Sequence, residues 1–148
     1  MRILMEIGQN QVLLTGLLAW FVAQGLKVVF TVIVDRRIDL TRMFGLGGMP
    51  SSHSAVVCAL ATGCGLTCGF YSAEFAIAAI LATVVMTDAA GVRRAAGKQA
   101  VQINRIVQDM IESGRGLTYE NMKELLGHTP FEVLVGAILG IILAFLVV

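Results

Sequence analysis

Charge is the scarcest thing in this sequence. Asp, Glu, Lys and Arg make up only 14% of the 148 residues, where a soluble domain would carry about 25%. Hydrophobic residues reach 57% and mean hydropathy is +0.82, so a water-soluble globule is excluded and lipid is the expected solvent. Low-complexity stretches, long linkers and repeats are absent as well, and the length argues for a single membrane-embedded domain over residues 1–148. No nucleic-acid partner is expected. CxxC pairs are missing: Cys58, Cys64 and Cys68 share one apolar segment with no histidine near them. They read as small thiols at helix contacts, not as metal ligands, and imply no redox compartment. The first residues, MRILMEIGQNQVLL, lack a basic start followed by an apolar run and a cleavage site, so they read as retained.

What is present is apolar sequence in four segments: Val12 to Val34, Ser54 to Phe70, Phe75 to Thr87 and Phe131 to Val148. A span needs roughly 20 residues and tolerates about 17, so the third segment must borrow Ala89, Ala90 or neighbours. Between the third and fourth, Val92, Ala96, Ile103, Ile106, Val107 and Met110 recur near helical spacing among Arg93, Arg94, Lys98 and Arg105. That pattern predicts an amphipathic helix at the interface or packed over the membrane helices. After a break at Ser113–Gly116, Thr118 can cap a second short helix that Gly127 ends. The expected fold is therefore an all-α integral membrane protein with about four transmembrane helices and an amphipathic helical segment between the third and fourth. Gly65-x-x-x-Gly69 and Gly136-x-x-x-Gly140 allow close helix approach, within the chain or between copies in a homo-oligomer.

If all four segments cross, the stretches 35–52 and 88–129 share a side. That side holds Arg36, Arg37, Arg42, Arg93, Arg94, Lys98, Arg105, Arg115 and Lys123. The positive-inside rule makes it cytoplasmic, in a multi-pass protein of the cell membrane.

Two polar stretches carry the chemistry. Gly47-Gly-Met-Pro-Ser-Ser-His-Ser54 stands directly before the second apolar segment. Proline suits a helix entrance and serine its cap, while first-turn N–H groups and the helix dipole make an anion site that His53 would face. The second stretch, Gly127-His-Thr-Pro-Phe-Glu-Val-Leu-Val-Gly136, puts His128 and Glu132 four residues apart, the spacing of one helix face. A carboxylate there takes the ring N–H and raises the basicity of the other nitrogen, which equips an imidazole to attack phosphorus. An ion pair without chemistry is the plainer alternative.

Taken together, PSSHS and a distant HxxxEVxxG resemble motifs two and three of the type 2 phosphatidic acid phosphatase superfamily, usually PSGH and SRxxxxxHxxxDVxxG. GGMPSSHSA, Asp88-Ala-Ala-Gly-Val-Arg-Arg and LGHTP extend the likeness to a divergent bacterial and plant branch, over nearly the whole chain. The resemblance implies that His128 is the nucleophile of a phosphohistidine intermediate and His53 the general acid. Ser51 and Ser52 would bind phosphate, and Glu132 stands where the family has aspartate. Two departures follow. Asn121 and Met122 occupy the places of the SR pair, and KxxxxxxRP is missing because Val34 stands seven after Lys27. Family members also typically have six membrane helices, where this chain has room for about four. Arg36, Arg37, Arg93 and Arg94 are the candidate replacements for the phosphate-binding arginines, with Lys27 reaching the polar side by snorkelling. Asp88 is placed to orient an arginine, and no metal or other cofactor is expected. The implied activity is metal-independent hydrolysis of a phosphate or pyrophosphate headgroup on a membrane lipid. A binding or transport protein that keeps the anion pocket without turnover, and a structural membrane subunit, are the alternatives.

Overall fold

The computed structural model describes residues 1–36, 48–113 and 127–148, apart from the side chains of Val34, Asp35 and Arg93. Arg37, Gly47 and the short helix expected from Thr118 fall outside the described residues. Helices α1 (Arg2–Gly8), α2 (Gln11–Asp35), α3 (Ser52–Cys68), α4 (Ala73–Ala90), α5 (Val92–Glu112) and α6 (Pro130–Val147) make up the described regular structure.

Each start has a chemical reason. Asn10, in the polar break, accepts the Leu13 N–H at 3.0 Å and caps α2. Ser51 caps α3, and Ser72 caps α4 by accepting the Phe75 N–H at 3.1 Å. Gly69, at φ 92, ends α3 and turns the chain into α4. Among the described residues three stretches are long and apolar enough to cross a membrane: Gln11–Ile33, the run containing α4 and α5, and Pro130–Val147. The apolar α3 has 17 residues, about 26 Å at 1.5 Å per residue. The chain is thus an all-α membrane protein, with the amphipathic α5 between the third and fourth spans as expected.

The bundle is small inside and large outside. Ala19 and Ala23 of α2 meet Ala55 and Ala59 of α3, with Leu139 and Leu143 of α6 against them. Val57 and Ala61 meet Ala82 of α4. Leu17, Phe21, Ile77, Ile80, Ile138 and Phe145 point outward and are exposed. That inversion suits lipid, where close backbone packing between small residues holds helices together. The helix α3 touches α2, α4 and α6 and forms the centre.

Contacts along α3 settle the directions. Gly16 and Gly63 sit against Leu60 and Val12, and Lys27 reaches Ser52, so α2 runs antiparallel to α3. Gly136 lies against Ser51 and Gly140 against Ala55, so α6 runs parallel to it. The ends of α2 and α4 and the starts of α3 and α6 therefore meet at one end of the bundle, as expected from four crossings.

The two glycine pairs differ in what they do. Gly136 and Gly140 are buried against the α3 backbone, where a Cβ would collide with the carbonyl oxygens of Ser51 and Ala55. Gly69 has already left its helix, and Gly65 is covered by the ring of Phe70, so this pair forms no helix–helix face. Among the described helices α5 touches only α4, so it is not laid over the bundle.

Candidate functional site

The site grows out of the close contact between two parallel helix starts. With no Cβ at Gly136, the first turn of α6 lies directly on that of α3. The Ser51 N–H donates to the Glu132 carbonyl at 3.1 Å and ties the two entrances together. His53, in the first turn of α3, then stands beside His128, with ring centroids 6.1 Å apart and planes at 63°. The glycine that ends the HxxxEVxxG pattern is thus what lets the two histidines meet.

His128 is not on a helix face. It precedes the cap residue Thr129, and the 128/132 spacing works by wrapping the start of α6. Thr129 and Glu132 form a reciprocal capping box: Thr129 Oγ1 accepts the Glu132 N–H at 3.3 Å, and Glu132 Oε2 accepts the Thr129 N–H at 3.0 Å. The same Oε2 lies 3.2 Å from His128 Nδ1. An oxygen already accepting one N–H is an acceptor for the second, so Nδ1 carries the proton and Nε2 presents its lone pair. His128 is only 3% exposed.

Ser51, Ser52 and Ser54 are all buried, but they play different parts. Ser51 Oγ accepts the Ser54 N–H at 3.4 Å and pairs with Ser54 Oγ at 3.0 Å, so its hydroxyl serves the cap. Ser52 Oγ accepts a hydrogen bond from Lys27 Nζ at 3.2 Å. Lys27 does not snorkel. It is 4% exposed, and the opposite charge acting on it is the Glu132 carboxylate. A cation held inside a membrane helix needs such partners. Gln24, one turn earlier in α2, is also buried.

Lys27, Ser51, Ser52, His53, His128 and Glu132 therefore come together. The arginines do not join them through any described contact. Arg36 ends α2 in a left-handed conformation (φ 50) and is exposed; Arg94 is half-buried in the first turn of α5. Arg37 lies outside the described residues, as does the side chain of Arg93. Asp88 is half-buried in the last turn of α4, at the same end. Among the described residues no three His, Cys, Asp or Glu side chains are grouped to hold a metal ion. Sequence reasoning missed the capping box, although Thr-x-x-Glu spells it, and it missed the Ser51–Ser54 pair. The burial of Lys27 against Ser52 had no local signal, since it depends on how α2 meets α3.

An anion at this point would meet first-turn amides at the positive ends of two helices, a buried ammonium and an imidazole whose ring is oriented by a carboxylate. Residues 8–143 match a family described as the divergent PAP2 family. The uncharacterized membrane protein YuiD of Bacillus subtilis (strain 168) is 44% identical over 149 residues, covering 94% of each chain. No solved structure matches.

Proposed function

The chain belongs to the divergent PAP2 family, and from that premise we propose that it is a phosphatase that hydrolyses the terminal phosphate of a phosphate or pyrophosphate headgroup on a membrane lipid. The observation that carries the reading is the oriented pair of histidines: His128 Nδ1 held by Glu132 at 3.2 Å, with the His53 ring 6.1 Å away. His128 Nε2 attacks phosphorus as the P–O bond to the lipid breaks, and His53 gives its proton to the departing oxygen. Water then attacks the phosphohistidine, His53 takes its proton, and the P–N bond breaks to release phosphate. Glu132 fixes the tautomer and steadies the positive ring. Lys27, Ser52 and the α3 amides stabilise charge on the phosphoryl oxygens, and the arginines at this end add to the field that draws the headgroup in. The site faces the cytoplasm of the cell membrane, and the reaction needs no metal.

The decisive experiment measures phosphate release from phosphatidic acid, phosphatidylglycerol phosphate and polyprenyl phosphates in mild detergent with a chelator. Release by the wild type and none by His128→Ala is the expected result. Release that survives His128→Ala overturns the mechanism. A second reading draws on the arginines, none of which has a described contact with the histidines: a lipid-phosphate binding or transport protein without turnover. Saturable binding in wild type and His128→Ala, with no release from either, would establish it.

A further inference from the structure

The amphipathic α5 lends only its first arginines to the field around the proposed site, and its open side calls for an occupant. Gly97 and Ala100 are covered, whereas Val92 (66% exposed), Ala96, Ile103 and Ile106 (55%) are open. At 100° per residue these four fall along one edge of the helix. Arg94, Lys98 and Arg105 fall together on the opposite side; Asp109 and Glu112 join that side only beyond them, so the excess of positive charge lies in the part of the helix nearer α4. A basic face opposite an apolar one, on a helix of low overall hydrophobicity, is the pattern of helices that lie in a membrane surface. Position supports it. The helix follows α4 through Gly91 alone, at the end of the bundle where the histidines stand, and among described helices it touches only α4.

We propose that α5 docks on the leaflet at the histidine end, with Val92, Ala96, Ile103 and Ile106 seated among the acyl-chain tops and its cations on anionic headgroups. The charge argues for lipid over a second copy of the chain. Two copies meeting through their apolar sides would leave these cations pointing away from the contact and unused, whereas an anionic leaflet attracts them at about 1 kcal/mol per Lys or Arg near the surface. The docking depends on no catalytic step, so it stands or falls separately from the phosphatase reading.

The test places a polarity-sensitive fluorophore at Ile103→Cys, or at Gln102→Cys on the polar side, in a Cys64→Ala/Cys68→Ala background. The full chain is reconstituted in phosphatidylcholine vesicles with and without phosphatidylglycerol. Quenching by a lipid brominated near the top of its acyl chain should be strong at position 103, weak at 102, and increased by phosphatidylglycerol. Raised salt, or the Arg94→Gln/Lys98→Gln/Arg105→Gln variant, should lower the docked fraction relative to the undocked about tenfold or more. Equal quenching at both positions, or quenching indifferent to phosphatidylglycerol and to the charge-removing variant, would overturn the proposal. So would shielding of position 103 in neutral detergent that rises with protein concentration, because a second copy would then own the face. Repeating the measurement in His128→Ala should give the same result.

Discussion

Glu132 holds two positions at once, and that makes it the most informative residue to change. Its side chain closes the capping box and orients His128 through the same oxygen. Glutamine closes a capping box as well as glutamate does, so Glu132→Gln should keep the start of α6 and lose about 1–3 kcal/mol of stability, chiefly through the opposite charge that buried Lys27 loses. It should nevertheless lower kcat about 100-fold or more, because the charge that steadies the imidazolium is gone. A melting curve and a turnover assay on one preparation separate the two roles. Lys27→Met tests the buried cation. An apolar chain of similar shape belongs in a membrane helix, so folding should hold, while KM for the lipid should rise about tenfold or more through loss of a charged hydrogen-bond donor. The proposed roles also set the pH profile. Acid protonates His128 and removes the nucleophile; alkali deprotonates His53 and removes the acid, so a plot of kcat/KM against pH should fall on both sides. The pairing of His128 with Glu132 was legible from spacing, and His53 was joined to them through the family resemblance. That His128 stands ahead of the helix was not, because a four-residue spacing also fits two side chains on one face.

At the scale of the helices, the close approach of α3 and α6 decides the geometry of the site. Gly136→Ala and Gly140→Ala each press a methyl group into an α3 carbonyl, and each should destabilise by about 1–3 kcal/mol. Only Gly136 lies at the level of the histidines, so its replacement should cut activity beyond what the folded fraction explains, whereas Gly140→Ala should leave activity per folded molecule much closer to wild type. Activity normalised to the folded fraction in a thermal-shift assay reads the difference. The four spans could be located from apolar sequence to within a few residues, since lipid demands it of any crossing helix. The duties of the glycines could not. Gly-x-x-x-Gly reads alike whether its second glycine packs against a neighbour, as Gly140 does, or closes a helix, as Gly69 does at φ 92.

For the whole molecule, the directions of α2, α3, α4 and α6 place the histidines at one end and Cys68 at the other. Cys68 is exposed beside the turn into α4. With the basic end inside, a membrane-impermeant maleimide should label Cys68 on intact cells, and lysis should add little. Labelling only after lysis would reverse the orientation. That the ends of α2 and α4 share one end of the bundle with the starts of α3 and α6 was readable from four successive apolar segments; which side of the membrane that end faces is what the labelling decides. The pairing of neighbours was not readable, since α3 and α6 run parallel across a long intervening segment and nothing local marks them as partners.

The central place of α3 bears on how the protein is made. Ser52, His53 and Ser54 open this helix, Thr62 and Thr67 lie further along it, and small residues fill much of the rest. Such a helix offers lipid little that lipid prefers, and it is tolerable there because α2, α4 and α6 enclose it. During synthesis two of those three emerge from the ribosome after it. Its transfer into the bilayer is therefore expected to belong to an assembled unit, with α3 held beside α2 until the hairpin with α4 is complete. A truncated chain ending just beyond Cys68 and released from the ribosome should leave α3 open to added protease, and one extended through α4 should protect it.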